Sequence, residues 1–286
     1  MARAKFNRAV EDVGNILAME HINVTVPDQQ LATFFYVTGL GFTRDPYMDF
    51  GPRNVWINVG DQQFHLPTSE PQVLRGRTGV VVPDLVQLEG RLARIEKRLA
   101  DTAFSFKSSG RGKNRTLDVT CPWGNRIRCH EPGKFGDMSL GIPYIEFEVP
   151  VGTSAGIARF YEQVMGVATT TLKNRCSIAA GRGQELVFRE TRKYDSHYDG
   201  HHIAIYVADF SGPHAYLRDK GLVSEESDQH QYRFQTIIDP DTGEALFEIE
   251  HEVRSLFHPM YARNLVNRNA GQTFFTYRQG RDAFVP

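Results

Sequence analysis

Short segments of alternating apolar and polar residues, typical of half-buried strands, recur along this chain between segments with helical spacing. In the first of them, HINVTVPD, the side chains of Ile22, Val24 and Val26 fall on one face of a predicted strand. His21 and Asn23 fall on the opposite face, which is too polar for a dry core. We therefore expect the apolar face to pack on a helix and the polar face to line a cleft.

The same strand opening occurs four times, which indicates an internal repeat. Its copies begin at His21, Arg77, Tyr144 and His202. A segment with apolar residues at helical spacing follows each opening, and the four predicted helices span residues 31–40, 85–99, 155–167 and 212–222. Short strands are predicted after these helices, over residues 54–59, 62–66, 104–107, 116–120, 126–130, 177–180, 185–189, 233–238 and 245–249. The unit is βαβββ, and four such modules make an α+β chain.

Composition and charge are those of a globular protein that binds neither nucleic acid nor membranes. The 286 residues are 41% hydrophobic and 23% charged, and the net charge is −1. Such a chain has no basic field for nucleic acid or anionic lipid, and no apolar run approaches the roughly 18 residues of a membrane span. The three cysteines form no CxxC pair, and the N-terminus lacks the pattern of a signal peptide. We therefore expect a cytoplasmic protein.

Motifs of the repeat resemble those of the vicinal oxygen chelate superfamily, which includes glyoxalase I, methylmalonyl-CoA epimerase and the extradiol dioxygenases. They are HINVTVPD followed by FFYVTGLGF, HHIAIYVAD in the fourth module, and DPDTGEALFEIE near its end. The resemblance covers roughly residues 18–253 and implies that the modules form two curved mixed-sheet barrels. The expected division is an N-terminal helix (1–17), a first glyoxalase-like domain of modules one and two (18–135), a second of modules three and four (140–253), and a C-terminal extension (254–286).

In that superfamily, the first and last strands of a module supply the metal ligands, and two paired modules enclose one metal ion. On this resemblance, module one offers His21 and His65, and module four offers His202 and Glu248. The corresponding positions of modules two and three hold poor ligands, namely Arg77, Arg128, Tyr144 and Phe188. We therefore predict that module one pairs with module four, that module two pairs with module three, and that the chain has a single metal site.

Two of these ligand positions have alternatives. His65 is either a fourth ligand or a histidine of the cleft wall. Glu250 rivals Glu248, because both residues lie on the same face of one strand. In the middle of the chain, Glu146 and Glu148 of module three are expected either to be solvated or to pair with arginines of module two, Arg77 and Arg128. The pairing would make modules two and three a structural half. A second site built from Glu146, Glu148 and Tyr144 is the weaker alternative, because no histidine lies there.

Other residues are candidates for roles in catalysis and substrate binding. His201 is a candidate proton carrier, with a solvent-exposed strand start as the alternative, and Tyr206 is a second catalytic candidate. Asn23 and Tyr232 are candidate substrate contacts in the cleft. The extension over residues 254–286, rich in aromatic and basic residues, is expected either to pack over the body or to form a lid over the cleft.

Two histidines and one carboxylate form a facial triad that suits Fe(II) and leaves positions for an aromatic diol and dioxygen. This arrangement favours a ring-cleaving dioxygenase. A fourth ligand at His65 would favour a lyase or isomerase of the glyoxalase or epimerase type, with zinc, nickel, cobalt or manganese as the ion. A metal-free protein that binds a small molecule is the third hypothesis. In each case the partner is a small molecule, and association into a homo-oligomer is left open.

Overall fold

A computed structural model describes residues 7–48, 51–265 and 276. Each of four successive modules has a strand, a helix and three further strands, as the repeat predicts. Module one consists of β1 (Ile16–Asn23), α1 (Gln29–Thr33), β2 (Thr43–Arg44), β3 (Asn54–Val59) and β4 (Gln62–Pro67). Module two consists of β5 (Gly76–Val81), α2 (Leu85–Ile95), β6 (Ser105–Ser109), β7 (Thr116–Thr120) and β8 (Arg126–His130). Module three consists of β9 (Gly141–Val149), α3 (Ser154–Gln163), β10 (Thr169–Leu172), β11 (Arg175–Ala179) and β12 (Glu185–Glu190). Module four consists of β13 (His202–Val207), α4 (Ser211–Asp219), β14 (Val223–Asp228), β15 (Gln231–Ile238) and β16 (Ala245–Ser255).

The strands form two open eight-stranded mixed sheets. The first has the order β14-β15-β16-β13-β1-β4-β3-β2, and the second has the order β10-β11-β12-β9-β5-β8-β7-β6. The first sheet therefore joins modules one and four, and the second joins modules two and three, which confirms the predicted pairing. Among the described residues, β14 and β2 end the first sheet and β10 and β6 end the second, so the expected barrels are curved sheets that do not close. Each sheet takes strands from both of the domains expected from the sequence. The boundaries at 135 and 140 stay a prediction.

The predicted helices are present, but their ends differ from the sequence pattern. Helix α1 begins after Asp28, whose carboxylate accepts hydrogen bonds from two backbone N–H groups, and a π-helical turn over Phe34–Gly39 continues it. Asp84 caps α2 in the same way. Among the described residues, no helix has the length and hydropathy needed to cross a membrane.

The N-terminal helix expected over residues 1–17 is corrected by the structure. Within its described part, the only helical element is a 3-10 turn over Arg8–Glu11. Strand β1 already begins at Ile16, because that residue pairs with Val207 of β13. The short strands β2, β10 and β14 were missed for a different reason, since they are exposed edge strands with little apolar alternation.

One hydrophobic core lies between the sheets and the helices. Helix α3 packs against β10, β11 and β12 of one sheet and against β15 and β16 of the other. The rings of Phe147 in β9 and Phe247 in β16 lie 5.8 Å apart and join the two sheets directly. With the apolar faces packed inward, the polar face of each sheet remains available for a site.

Candidate metal centre

Strand register brings three histidines together on the polar face of the first sheet. Asn23 of β1 lies opposite His202 of β13 and is aligned with His65 of β4. His21 lies two residues before Asn23 and therefore on the same face. Ring nitrogens of the three histidines lie within 4.8 Å of one another. The centroid of the His21 ring is 5.6 Å from that of His65 and 5.9 Å from that of His202.

Hydrogen bonds to neighbouring side chains orient two of the rings. His21 Nδ1 lies 3.0 Å from Glu20 Oε2, and its Nε2 is buried with no hydrogen-bond partner in the described structure. His65 Nε2 lies 2.7 Å from Asn54 Oδ1, and the amide oxygen only accepts, so this nitrogen donates and Nδ1 keeps its lone pair. Trp56 stacks on His65 at 3.8 Å between ring centroids. Each ring thus presents one unprotonated nitrogen, which is the form that binds a metal ion.

The carboxylate beside the histidines belongs to Glu252. Its Oε2 lies 3.5 Å from His202 Nε2, and its side chain is only 4% exposed. Glu252 is aligned with Ala204, two residues after His202, just as His65 is aligned with Asn23, two residues after His21. Glu252 is therefore the counterpart of His65 in module four.

Glu248, the carboxylate predicted from the sequence, is not part of the cluster. Its side chain is exposed, and its backbone carbonyl accepts a hydrogen bond from Arg75. It lies four residues before Glu252 on the same strand face, which corresponds to about 13 Å along a strand. The rival residue Glu250 lies between them, with Oε1 3.5 Å from His202 Nδ1. The assignment of Glu248 was wrong, because Glu248, Glu250 and Glu252 share one strand face and sequence alone does not give the register.

The surroundings of the cluster favour the neutral form of His21 and His65 and the charged form of two nearby carboxylates, Glu20 and Glu252. Burial lowers the pKa of His21 and lowers that of His65 further. Burial by itself would raise the pKa of Glu20, but attraction to Arg254 and the hydrogen bond with His21 outweigh it and hold that pKa at about 2. In the same way, Arg254 and His202 hold the pKa of Glu252 well below its usual range, against the effect of burial.

These groups fit a divalent metal ion. Nε2 of both His21 and His202 is buried and lacks a hydrogen-bond partner among the described residues, an arrangement that is costly unless a ligand completes it. Neutral imidazoles with an adjacent carboxylate are the donor set of iron, zinc, nickel and cobalt sites. A divalent ion bound between them would satisfy the free nitrogens.

A pocket of about 440 Å³ opens beside the cluster and includes His65 and Glu252 in its wall. Met48, Trp56 and Met260 form a buried apolar cluster on one side of it. The polar part of its wall is formed by Asn54, Asp228, Gln231, Arg233, Arg254 and His258. No motif in the sequence predicted this wall, although Trp56 is aligned directly with His65 in the β3–β4 pair and would follow from that register.

Arginines bind the acidic residues around the cluster in a continuous network. Arg233 donates to Glu250 Oε1 at 2.7 Å and to Glu252 Oε2 at 2.8 Å. Arg254 forms ion pairs with both Glu20 and Glu252. These two arginines therefore cross-link the acidic residues that lie beside His21 and His202.

The catalytic candidates lie away from this pocket. The hydroxyl of Tyr206 donates to Glu20 Oε1 at 2.9 Å, so this side chain belongs to the network behind His21. His201 is fully buried, not solvent-exposed, and its Nδ1 lies 2.6 Å from Asp199 Oδ1. Neither side chain lines the pocket beside the histidines.

The two predicted substrate contacts have different outcomes. Asn23 lies on the same face as His21, and its Oδ1 is buried with no hydrogen-bond partner in the described part of the chain. It does not line the pocket beside the histidines, so its contact with a substrate stays a prediction. Tyr232 is aligned with Val253 on the core face of the sheet, and its ring packs 5.1 Å from that of Phe210. The expectation for Tyr232 was wrong, because the register of β15 directs Arg233 to the polar face instead.

The second sheet repeats the geometry without the ligands. The positions equivalent to His21, His65, His202 and Glu252 are held by Arg77, Arg128, Tyr144 and Val187. Phe188, assigned to the last of these from sequence, lies in the core. Arg77 pairs with Glu146 at 3.0 Å, as expected.

Other ion pairs of that sheet depart from the expected set. Arg128 pairs with Asp118 at 2.6 Å, while Glu148 pairs with Arg126 and Arg189, each at 3.1 Å. The polar face of modules two and three is thus occupied by ion pairs. The part of the chain that the structure describes contains one histidine cluster, the one in modules one and four.

The C-terminal extension both packs on the body and borders the pocket. Arg263 forms a buried ion pair with Asp45, and its Nη2 lies 3.2 Å from Gln63 Oε1. His258 and Met260 line the pocket beside the histidines. The described part of the extension therefore packs over the body and lines the pocket, and a lid over the cleft stays a prediction. The aromatic residues Phe274, Phe275 and Tyr277 lie outside the described residues.

Comparison with known proteins identifies the fold. No protein-family model matches the sequence, and no curated protein sequence matches it. Similar solved structures include a Bacillus subtilis protein whose description suggests a dioxygenase, with 17% identity, a TM-score of 0.59 and coverage of 95% of this chain and 92% of that one. Glyoxalase I from Zea mays has 11% identity and a TM-score of 0.55, with 83% of this chain and 92% of that chain covered. The cppA protein from Streptococcus pneumoniae TIGR4 has 12% identity and a TM-score of 0.51, with 84% and 98% covered. The chain therefore has the vicinal oxygen chelate fold, as the resemblance in its sequence predicts.

Proposed function

We propose that this protein is a metal-dependent enzyme, a non-haem Fe(II) dioxygenase that cleaves the ring of a small aromatic diol. The observation that carries the proposal is the cluster of His21, His65 and His202, in which His21 and His202 are buried and His65 lines a pocket. His21, His202 and Glu252 would supply two imidazoles and one carboxylate, the set typical of Fe(II) oxygenases.

The pocket favours an aromatic substrate with polar substituents at one end. Its volume of about 440 Å³ is within the usual range for a small-molecule site. Met48, Trp56 and Met260 offer a flat apolar surface for a ring, while His65 and Glu252 border the same space. A diol would place its ring on the apolar wall and its hydroxyl groups toward the histidines.

The side chains around the pocket have separate tasks in this proposal. A bound divalent ion would lower the pKa of a ligated hydroxyl and stabilise negative charge on its oxygen. Glu20 fixes the His21 ring, and Asn23 Oδ1, which has no hydrogen-bond partner among the described residues, accepts a hydrogen bond from a substrate hydroxyl. His258 is neutral at pH 7, because burial and nearby Arg254 lower its pKa to about 4. Its Nδ1 accepts from the Met260 N–H, so Nε2 carries the proton and can donate it to an oxygen in the pocket.

A second candidate function rests on His65. The structure brings this histidine within 4.8 Å of the other two, and Asn54 leaves its Nδ1 with a free lone pair. Four protein ligands, with His65 and Glu252 included, would suit a lyase or isomerase of the glyoxalase type, in which zinc, nickel, cobalt or manganese stabilises an enediolate. This candidate uses the same pocket and differs in the number of open metal positions.

The neighbouring structures support both candidates to a similar degree. The Bacillus subtilis protein, whose description suggests a dioxygenase, and glyoxalase I from Zea mays each extend over more than four-fifths of this chain. Because their sequence identities with this chain are low, these structures show a common fold alone. The choice between the two reactions therefore depends on the set of metal ligands. The small-molecule partner and a reducing cytoplasmic location are part of the proposal, and the burial of all three cysteines as free thiols accords with it.

Metal analysis followed by oxygen uptake tests the proposal. Protein reconstituted anaerobically with Fe(II) is assayed with catechol and with hydroquinone, and His21→Ala plus His202→Ala serves as the inactive variant. His197→Ala, which alters an exposed histidine outside the cluster, is the matched control. One iron per chain with diol-dependent oxygen uptake supports the dioxygenase. Binding of zinc or nickel, with isomerisation of a hemithioacetal and no oxygen uptake, supports the second candidate. Failure to bind any of these ions would contradict both and leave a metal-free binding protein.

A further inference from the structure

Two pockets of about 440 Å³ each border the C-terminal segment. One is the metal-side pocket, defined above by His65, Trp56 and Glu252 in its wall. The other, the outer pocket, is bordered by Glu20, Gln63, Tyr206, Arg263 and the chain that follows Met260. Among the described residues, Met260 is the one side chain that lines both pockets.

The rest of the partition is ionic and resists opening. Arg254, in the wall of the metal-side pocket, pairs with Glu20 and lies 3.3 Å from the Tyr206 hydroxyl, both in the wall of the outer pocket. Separating buried ion partners leaves an uncompensated charge in the interior, which is strongly unfavourable. Met260 is thus the apolar part of the partition, and the thioether chain is flexible.

A single buried carboxylate holds the apolar wall in position. Asp45 Oδ1 accepts a hydrogen bond from the backbone N–H of Met48 at 3.0 Å. The other oxygen of Asp45 receives Arg263, three residues after Met260, and the Gln63 amide at 2.5 Å. Met48 and Met260 are therefore anchored through the same group, although one lies in module one and the other in the C-terminal extension.

We propose that Met260 is a specificity-determining residue that limits how long an apolar substituent a ligand of the metal-side pocket can carry. The inference rests on the proposed function insofar as it takes this pocket as the substrate site. Met260 packs with Trp56 and Met48 and lines both pockets, so a ring held on Trp56 and Met48 can extend a substituent toward it. Removal of the Met260 side chain joins the two pockets and gives a longer substituent room in the outer one.

The test uses binding, not turnover. In a Trp123→Phe background, Trp56 is the only tryptophan and reports directly on the metal-side pocket. Zn²⁺-loaded protein is titrated with catechol, 4-methylcatechol, 4-butylcatechol and 4-hexylcatechol, and quenching of Trp56 gives each Kd. Met260→Ala is compared with Met260→Leu, which keeps the bulk, and with Met48→Ala, which enlarges the metal-side pocket but leaves the Met260 side chain in place.

In the parent protein, affinity is expected to fall between the methyl and hexyl compounds. Met260→Ala is expected to bind 4-hexylcatechol about tenfold more tightly than the parent, since each newly buried methylene adds several-fold. Met260→Leu and Met48→Ala should keep the preference of the parent. If catechol binds but Met260→Ala gives no gain for the long compounds, or Met48→Ala gives the same gain, the role of Met260 is refuted. If catechol itself does not bind to any variant, the proposed substrate pocket is wrong, and the inference about Met260 fails with it.

Discussion

The imidazole rings of His21 and His202 lie 5.9 Å apart, centroid to centroid, although these residues open the first and last modules of the chain. Strands β1 and β13 run antiparallel at the centre of one sheet, and His202 lies opposite Asn23, two residues from His21. The two histidines are thus diagonal neighbours on one face of the sheet. A metal ion held between them would connect the two ends of the fold, so its binding should also stabilise the native state.

Replacement of Glu252 tests which carboxylate completes the centre. Glu252→Gln removes the charge beside His202 and is expected to weaken Zn²⁺ or Fe²⁺ binding by at least about tenfold. Glu248→Gln makes the same chemical change at an exposed position of the same strand face and should leave the affinity unchanged. Isothermal titration calorimetry with both variants measures the difference. The reverse result, a loss in Glu248→Gln alone, would restore the assignment made from the sequence.

The fold could be predicted because one strand pattern recurs at the opening of all four modules. Ile22, Val24 and Val26 alternate with polar residues, and the same pattern recurs at the opening of each module. The pairing of module one with module four followed from the poor ligands Arg77 and Tyr144 at the middle openings. These inferences depend on residue type at known positions, which sequence supplies directly.

The details of the site depended on strand register, which a single sequence does not supply. In β16, Glu248, Glu250 and Glu252 all lie on one face, so alternation alone does not distinguish them. Tyr232 was assigned to the wrong face of β15 for the same reason. Met260 was missed because it approaches the site from outside the repeat, where no periodic pattern exists.

The hydrogen bond between His65 and Asn54 gives a test of whether His65 is a ligand. Asn54→Ala removes the acceptor that keeps the proton on Nε2, so the lone pair on Nδ1 is no longer secured. If His65 is a ligand, we expect metal affinity to fall about 10- to 100-fold. Asn54→Asp retains an acceptor oxygen and should bind metal nearly as well as the parent. Equal affinity in Asn54→Ala, Asn54→Asp and the parent would place His65 in the cleft wall and favour the triad.

Loss of Arg254 should destabilise the metal-free protein. Arg254 is nearly buried and pairs with Glu20 and Glu252, two carboxylates that are themselves largely buried. Arg254→Met leaves both without their shared partner, and we expect the free energy of unfolding to fall by about 3–5 kcal/mol. Arg218→Met, at an exposed pair, should change it by less than about 0.5 kcal/mol. Urea unfolding of the two variants measures this, and equal small effects would show that the network contributes little.

Acid should weaken the fold through His130, a residue of the second sheet away from the proposed metal centre. Its Nε2 lies 3.0 Å from the Tyr144 hydroxyl, and burial, with Lys134 and Arg128 nearby, lowers its pKa from 6.5 to about 4. Because the folded pKa is below the unfolded one, the unfolded chain binds more protons, and stability falls as the pH drops from 6.5 toward 4. Between pH 7 and pH 5 we expect this residue to account for about 1–2 kcal/mol, allowing for screening by solvent.

The variant His130→Gln separates this contribution from those of other histidines. Glutamine retains a hydrogen-bonding group for Tyr144 but does not titrate. The free energy of unfolding of the variant should therefore decline less between pH 7 and pH 5 than that of the parent protein. His197→Gln, at an exposed position, should follow the parent. Urea unfolding at both pH values, monitored by far-UV circular dichroism, gives the three slopes. A decline in His130→Gln as steep as in the parent would mean that the acid sensitivity arises elsewhere, because the titrating group would have been removed without effect.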